Sequence, residues 1–331
     1  MTDRTHPLPS PTPLLLADIG ATNARFALTG TGGPDRTRVL ACADFPSLEA
    51  AVRAFLAAEA PEPPPRRAAF AVAGPVTGDA VTLTNLSWSF SASGLGRALG
   101  LERLEVVNDF TAVALALPRF GTHDLRRLGG GDGVAAAPLA VLGPGSGLGV
   151  SGLLPLPGGG WLPLSGEGGH VSLAPADERE SSVLSCLRQR FGPVSAERVL
   201  SGPGLVNLHR ALCDLEGREA EALAPADITS RGLAGTCPQC VEALELFTAF
   251  LGTVAGNLAL TLGARGGVFI AGGIAPRLGD FLARSAFRRR FEEKGPQQAY
   301  LAPIPTFLIT HPLPAFLGLG ALLSAEGADR P

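Results

Sequence analysis

The chain has 331 residues, 46% hydrophobic and 17% charged, which excludes a disordered polymer and leaves enough apolar side chain for a sizeable core in about two domains. Its 27 basic residues face 30 acidic ones, a net charge of −3, so no global basic excess is offered to nucleic acid. Lys294 is the only lysine, which excludes a Walker A phosphate loop, and the odd, scattered set Cys42, Cys186, Cys213, Cys237 and Cys240 excludes a secreted disulfide framework and points to a reducing cytoplasm.

Residues 1–13 (MTDRTHPLPSPTP) are polar and proline-rich and read as a frayed tail without an export signal. The apolar run Leu14 to Ile19 is expected as a buried strand ending in the turn Gly20-Ala21-Thr22-Asn23. A return strand over Arg25 to Thr29 follows, then a third near Val39 to Ala43. Ser47 reads as the N-cap of a helix whose face is Leu48, Val52, Phe55 and Leu56. The proline-rich segment 61–67 is a loop, Ala68 to Ala73 a buried strand, Leu104 to Val107 another, and Phe110 to Leu117 a helix that Pro118 closes. The layout then starts again. Pro138 to Leu142 is a strand, Gly143-Pro144-Gly145-Ser146-Gly147 a turn, and Leu148 to Leu154 its return partner. Helices dominate from 180 to 263. The strands Val268 to Ala271 and Thr306 to Thr310 follow, and a helix over 315–325 returns to the first domain.

This pattern predicts two related α/β domains: 1–118 with about 312–331 as the smaller, and 119–311 as the larger. Two uncharged stretches bear on membrane insertion. Gly133 to Gly166 is broken by Gly and Pro, and Leu246 to Ala264 is diluted by Thr, Asn and Gly, so the latter is read as a core helix and no membrane span is expected.

Two Gly-rich hairpin turns can present consecutive backbone amides to phosphate oxygens, with Thr22 and Ser146 adding hydroxyls. Asp18 could hold Mg²⁺ through water, because hard cations take oxygen ligands. Glycine and Asn are equally at home in ordinary hairpin turns, and both readings stay open. Asn108-Asp109 ends an apolar strand, where α/β sheets place their ligands; Asp109 there is either a proton acceptor or a helix N-cap. Gly166-Glu167-Gly168-Gly169-His170 sets two polar side chains in an open loop, suited to a polyol or to plain solvation. Glu197, two residues after the expected N-cap Ser195, is a ligand or a helix-dipole acid. Cys237-Pro238-Gln239-Cys240 lacks both a second pair for zinc and the strand of a thioredoxin motif, and reads as non-catalytic and metal-free.

Taken in order, DIGATNARF (18–26), FAVAGPVTGD (70–79), LTNLSWSF (83–90), VVNDFTAVALALP (106–118), GPGSGLGV (143–150), LSGEGGHVSLAP (164–175), VSAERVLSGPGLVNLHRA (194–211) and GGVFIAGGIAPR (266–277) resemble the bacterial glucokinase family, along nearly the whole chain. The resemblance implies the actin-like ATPase fold, two ribonuclease-H-like domains flanking an interdomain cleft where ATP and sugar meet. It implies transfer of the γ-phosphoryl of Mg-ATP to the 6-hydroxyl of D-glucose, with ATP and Mg²⁺ as cofactors, in a cytoplasmic homodimer that binds neither nucleic acid nor membrane. Asn108, Asp109, Glu167, His170 and Glu197 then correspond to the glucose set, with Asp109 the general base. Ala17, Asp18, Ile19, Gly20, Ala21 and Thr22, then Gly145, Ser146 and Gly147, then Gly272 and Gly273 correspond to the ATP set.

Three departures stand out. Ala21 replaces the family's usual Gly and would be strained only at positive φ. Pro144 removes one amide from the second loop, leaving Gly145, Ser146 and Gly147 as donors. His311-Pro312-Leu313-Pro314 replaces the family's His-Asp-Asn-Pro. A kinase for another hexose or amino sugar is the nearer alternative, but the Cys-rich zinc motif of those relatives is missing between His170 and Cys186. A sugar-responsive regulator needs an N-terminal helix-turn-helix of roughly 60 residues, and only thirteen precede the first expected strand.

Overall fold

A computed structural model describes residues 12–30, 33–83 and 86–324, so the tail expectation for residues 1–11 lies outside the described residues. The run Leu14–Ile19 forms β1, and Leu15, Leu16, Ala17 and Ile19 are fully buried, as a continuous apolar strand covered on both faces requires. It turns into β2 (Asn23–Gly30) and β3 (Gly33–Ala41). The last is longer and earlier than the sequence suggested, because Cys42–Asp44 leave the strand as a 3-10 turn. Ser47 caps α1 (Leu48–Glu59) by accepting the Ala50 amide at 3.2 Å. The α1 face Leu48, Ala51, Val52 and Phe55 is buried, and Phe55 stacks on Phe26 of β2 at 5.4 Å. Burying such side chains stabilises by roughly 1.5–3 kcal/mol each.

β4 (Arg67–Val72) precedes a small hairpin of β5 (Ala80–Thr82) and β6 (Ser89–Ser91), then α2 (Ala92–Ala98), β7 (Arg103–Asn108) and α3 (Asp109–Ala116). The five-stranded sheet runs β3-β2-β1-β4-β7, with β1, β4 and β7 parallel, so Asp18 near the end of β1 and Asn108 at the end of β7 lie toward the same end of the sheet.

A second compact unit covers Leu117–Pro312; the first comprises the chain up to Ala116 and from Leu313 onward. The second unit opens with β8 (Leu125–Gly129), then β9 (Leu139–Pro144), β10 (Leu148–Pro155) and β11 (Trp161–Ser165). Four helices follow: α4 (Glu178–Phe191), α5 (Gly202–Leu215), α6 (Pro225–Ala234) and α7 (Pro238–Leu262). After β12 (Gly267–Ile270) come the short helices α8 (Ala275–Leu278), α9 (Asp280–Arg284), α10 (Phe287–Glu292) and α11 (Gln298–Leu301), then β13 (Thr306–Ile309). The six-stranded sheet is ordered β11-β10-β9-β12-β13-β8. Each large sheet therefore has the same centre: an antiparallel trio whose first strand pairs in parallel with the next strand of the sheet.

The apolar helix α7 is long enough to cross a bilayer, but 78% of its most apolar window is buried, and it forms the middle of this unit's core. Beside it, Arg290 forms a buried ion pair with Glu180 and donates to Thr253 Oγ1 at 2.8 Å. The lone lysine, Lys294, donates to the Thr253 carbonyl at 3.1 Å, a packing role on the same helix. The chain then returns to the first unit as α12 (Pro314–Ser324), which lies on α3, β1 and β4. Gly318 makes that contact possible, since a Cβ there would stand 1.8 Å from the Ala112 carbonyl oxygen.

Candidate functional site

The first hairpin turn is closed by the Gly20 amide donating to Asn23 O at 3.0 Å, and Cys42 fastens it from behind. The Cys42 amide donates to Thr22 O at 2.9 Å and its thiol to Gly20 O at 3.5 Å. Ala21 is not among the described non-glycine residues at positive φ, which are Arg36, Ala60 and Ala136, so the alanine carries no backbone strain. Asp18, on the strand leading into the turn, pairs with Arg25 Nη1 through Oδ2 at 3.2 Å. Burial raises its carboxyl above the ordinary range, and Arg25 pulls the other way.

At the end of β7, Asn108 Oδ1 accepts the amides of Phe110 at 2.9 Å and Thr111 at 3.2 Å, while its Nδ2 donates to Gly74 O at 3.2 Å. Capping of α3 therefore falls to Asn108. Asp109 is the first residue of the helix, with Oδ1 held by the Phe110 amide at 2.9 Å. Its carboxyl is raised to about 6, first by burial and then by the negative charge of Asp18, against the hydrogen bonds that favour its ionised form.

In the second unit the Gly145 amide closes its own turn, donating to Gly147 O at 2.8 Å. That corrects the expectation that Gly145 is a free donor. Among the described residues the Ser146 and Gly147 amides donate no backbone hydrogen bond. Gly272, at φ +82°, lies against this turn: a Cβ would meet Pro144 O at 2.3 Å, and the Ile274 amide donates to the same carbonyl at 3.2 Å. Gly273 faces open space.

Gly168–His170 form a 3-10 turn directly after Glu167, with the His170 amide on Glu167 O at 3.0 Å. Its glycines let it press onto β10, because a Cβ on Gly169 would stand 2.1 Å from Leu148 O and one on Gly168 would stand 2.8 Å from Val150. The following residues are stitched to the Glu197 segment by the Leu173 amide on Val194 O at 3.0 Å and the Ala196 amide on Val171 O at 2.9 Å. These bonds bring Glu197 Oε1 to 4.0 Å from His170 Nε2, while Oε2 accepts the Leu148 amide at 2.8 Å. Ser195 makes no side-chain cap, a second correction: only a single 3-10 turn, Ala196–Arg198, follows it. Glu197 is placed by strand-like pairing and by Ser201, whose hydroxyl donates to Glu197 O at 2.8 Å.

At the departure near the end, the His311 ring tilts against Phe120 at 6.0 Å, and the Thr310 amide donates to Asp124 O at 2.7 Å. The Cys237/Cys240 pair is not isolated, contrary to the reading of the sequence. α5 brings His209 to it, with Cys213 next to His209. The spacing of His209 and Cys213, four apart on a helix, is the one signal that could have raised this neighbourhood beforehand.

A glucokinase family model matches residues 15–326. The glucokinase of Paramagnetospirillum magneticum is 54% identical over 312 residues, covering 94% of this chain and 97% of that protein. Among solved structures, a glucokinase from an Antarctic psychrotroph superposes with a TM-score of 0.85 at 39% identity, covering 94% of this chain and 98% of that one. A ROK family glucokinase from Streptomyces griseus, in complex with glucose and AMPPNP, shares the fold at a TM-score of 0.64 and 19% identity, over 95% of this chain and 100% of that one. The architecture is that of the actin-like sugar kinases. The chain belongs to the glucokinase family of ATP-dependent hexose kinases.

Proposed function

We propose that Asp109 is the general base for transfer of the γ-phosphoryl of ATP to the 6-hydroxyl of D-glucose. The observation that carries this reading is the Asp109 carboxyl itself. It is raised to about 6 and fixed through Oδ1 by the Phe110 amide, so it is ionised at neutral pH yet basic enough to take a hydroxyl proton. As the proton passes to Asp109, the 6-oxygen attacks the γ-phosphorus in line, and the bond to the β-phosphate oxygen breaks to release ADP.

Asn108, Glu167, His170 and Glu197 hold the remaining hydroxyls. The 4.0 Å gap between His170 Nε2 and Glu197 Oε1 fits a hydroxyl that meets both, and a polyol bound by such directed groups is selected by what it leaves unpaired. The nucleotide falls to the turns at Ala17 to Thr22 and Gly145 to Gly147, where the Ser146 and Gly147 amides remain for phosphate oxygens, and to Gly272 and Gly273. A Mg²⁺ ion accompanying the triphosphate would neutralise charge on the phosphoryl oxygens. The hard carboxylate of Asp18, with Oδ2 on Arg25, fits a contact to its hydration shell through Oδ1. The glucose and AMPPNP found with the Streptomyces griseus relative support both ligand classes. Free thiols at Cys42, Cys186, Cys213, Cys237 and Cys240 accord with the cytoplasm as the compartment, and the family likeness extends the proposal to a homodimer.

Asp109→Asn tests the assignment, because it keeps the shape and removes the proton acceptor. Turnover falls by about 10²-fold or more while glucose binding changes little. A variant that keeps more than about a tenth of wild-type turnover removes Asp109 from the chemistry.

A further inference from the structure

Cys237 and Cys240 stand at the start of α7, where Cys237 Sγ accepts the Cys240 amide at 3.3 Å. Helix α5 sets His209 against them. One ligand atom from each of His209, Cys237 and Cys240 lies within 4.8 Å of the others. One turn further along α5, Cys213 Sγ is 3.8 Å from His209 Nε2. His209 is only 3% exposed, and its Nδ1 has no hydrogen-bond partner among the described residues. Buried polar atoms are nearly always satisfied, so an orphaned imidazole nitrogen beside three thiols asks for a ligand.

From this cluster we propose that His209, Cys237 and Cys240 bind Zn²⁺, with Cys213 completing a tetrahedral set. Three thiolates and one imidazole make a structural zinc coordination sphere, and soft sulfur ligands select Zn²⁺ over Mg²⁺ or Ca²⁺. With metal–ligand bonds of about 2.0–2.3 Å, a tetrahedral ion holds its ligand atoms roughly 3.5–3.8 Å apart, so His209, Cys237 and Cys240 need draw in by only about 1 Å. Each coordinating thiol gives its proton to solvent, the imidazole binds in its neutral form, and no electron changes hands. A four-ligand set leaves no open position, so the ion is a cross-link. It joins α5 to the start of α7 and closes the chain around α6.

The test begins with protein prepared under reducing conditions with zinc in the medium and passed over a weak chelator. Elemental analysis is expected to find about one zinc per chain, and the Cys237→Ser/Cys240→Ser variant less than about a tenth of that. Wild-type apoprotein titrated with Co²⁺ should develop a thiolate-to-cobalt charge-transfer band with tetrahedral ligand-field absorption, and Cys213→Ser should weaken the affinity at least about tenfold. The cobalt titration uses the native chain, so it decides even if the double variant fails to fold. Reduced wild-type apoprotein that takes up neither Co²⁺ nor Zn²⁺ at stoichiometric concentration overturns the site. So does a Cys237–Cys240 disulfide, seen as a mass lower by two hydrogens, that forms with Zn²⁺ in the buffer.

Discussion

Glu197 Oε2 accepts the Leu148 amide at 2.8 Å, so a carboxylate assigned to the sugar also fixes the first residue after the Ser146 turn assigned to the nucleotide. Removing it with Glu197→Ala leaves that amide unpaired, at a cost of about 1–3 kcal/mol, and loosens the turn. The Michaelis constant for ATP should then rise together with that for glucose, each by about tenfold. His170→Ala, whose ring stands 4.0 Å from Glu197, should raise the glucose constant and leave the ATP constant within about twofold. Steady-state kinetics with each substrate varied will decide. An Glu197→Ala enzyme with an unchanged ATP constant would sever the two loops functionally.

The pair Asp18 and Asp109 sets a pH dependence. Only ionised Asp109 accepts a proton, so kcat/KM for glucose should fall on the acid side through a limb near the carboxyl value of about 6. Asp18→Asn removes the nearby negative charge but not the burial. The limb should therefore move to lower pH without reaching the ordinary value of 3.8. A limb that stays in place in Asp18→Asn would mean that the two carboxylates do not sense each other.

The same raised carboxyl has a stability consequence of fixed sign. Its contribution is fully present below the unfolded value of 3.8 and is lost as pH rises through about 6, because the ionised form is the one that burial opposes. Asp109→Asn should thus be more thermostable than the wild type at about pH 8, with the gap narrowing toward pH 5 or so. Thermal melts across that range check it, and a gap that widens toward acid would reverse the assignment.

Two adjacent glycines offer an internal control. Gly272 sits at φ +82° with Pro144 O where a Cβ would go, whereas Gly273 faces open space. Gly272→Ala should destabilise by about 1–3 kcal/mol from backbone strain, with overpacking added, and raise the ATP constant. Gly273→Ala should leave the melting temperature unchanged. Equal melting temperatures for the two variants would contradict the packing of this loop on the second hairpin.

Much of this architecture was readable from local pattern. The hairpins around Gly20 and Ser146 announce themselves because a buried strand, a glycine turn and a return strand are contiguous, and Ser47 caps its helix as its chemistry dictates. The short strands Ala80–Thr82, Ser89–Ser91, Leu125–Gly129 and Trp161–Ser165 escaped, since each is held by pairing partners and carries too few alternating residues to show a period. Ser195 stands at the N-cap position of its 3-10 turn, as a Ser before an acid suggests, but pairing with Ser172 sets its backbone and its side chain makes no cap. Within the site, the residue types at Asn108, Asp109, Glu167, His170 and Glu197 could be named from loop position. What could not be read was the division of labour between Asn108 and Asp109, the use of the Gly145 amide to close its own turn, or the Asp18–Arg25 pair. The His209 neighbourhood leaves only the His209/Cys213 spacing as a trace in the sequence, because two helices separated along the chain create the rest of it.

The return of α12 to α3, with Gly318 seated against Ala112, imposes an order on how the chain is completed during synthesis. Residues 117–312 form one uninterrupted unit that can close on itself as soon as it has left the ribosome, since domains generally fold as units in the order they emerge. The residues before it, although made first, must wait for 314–324 before their sheet and α3 are covered. Until then apolar surface on β1 and β4 stays exposed, so the earliest-made part of the enzyme is the last to be sealed.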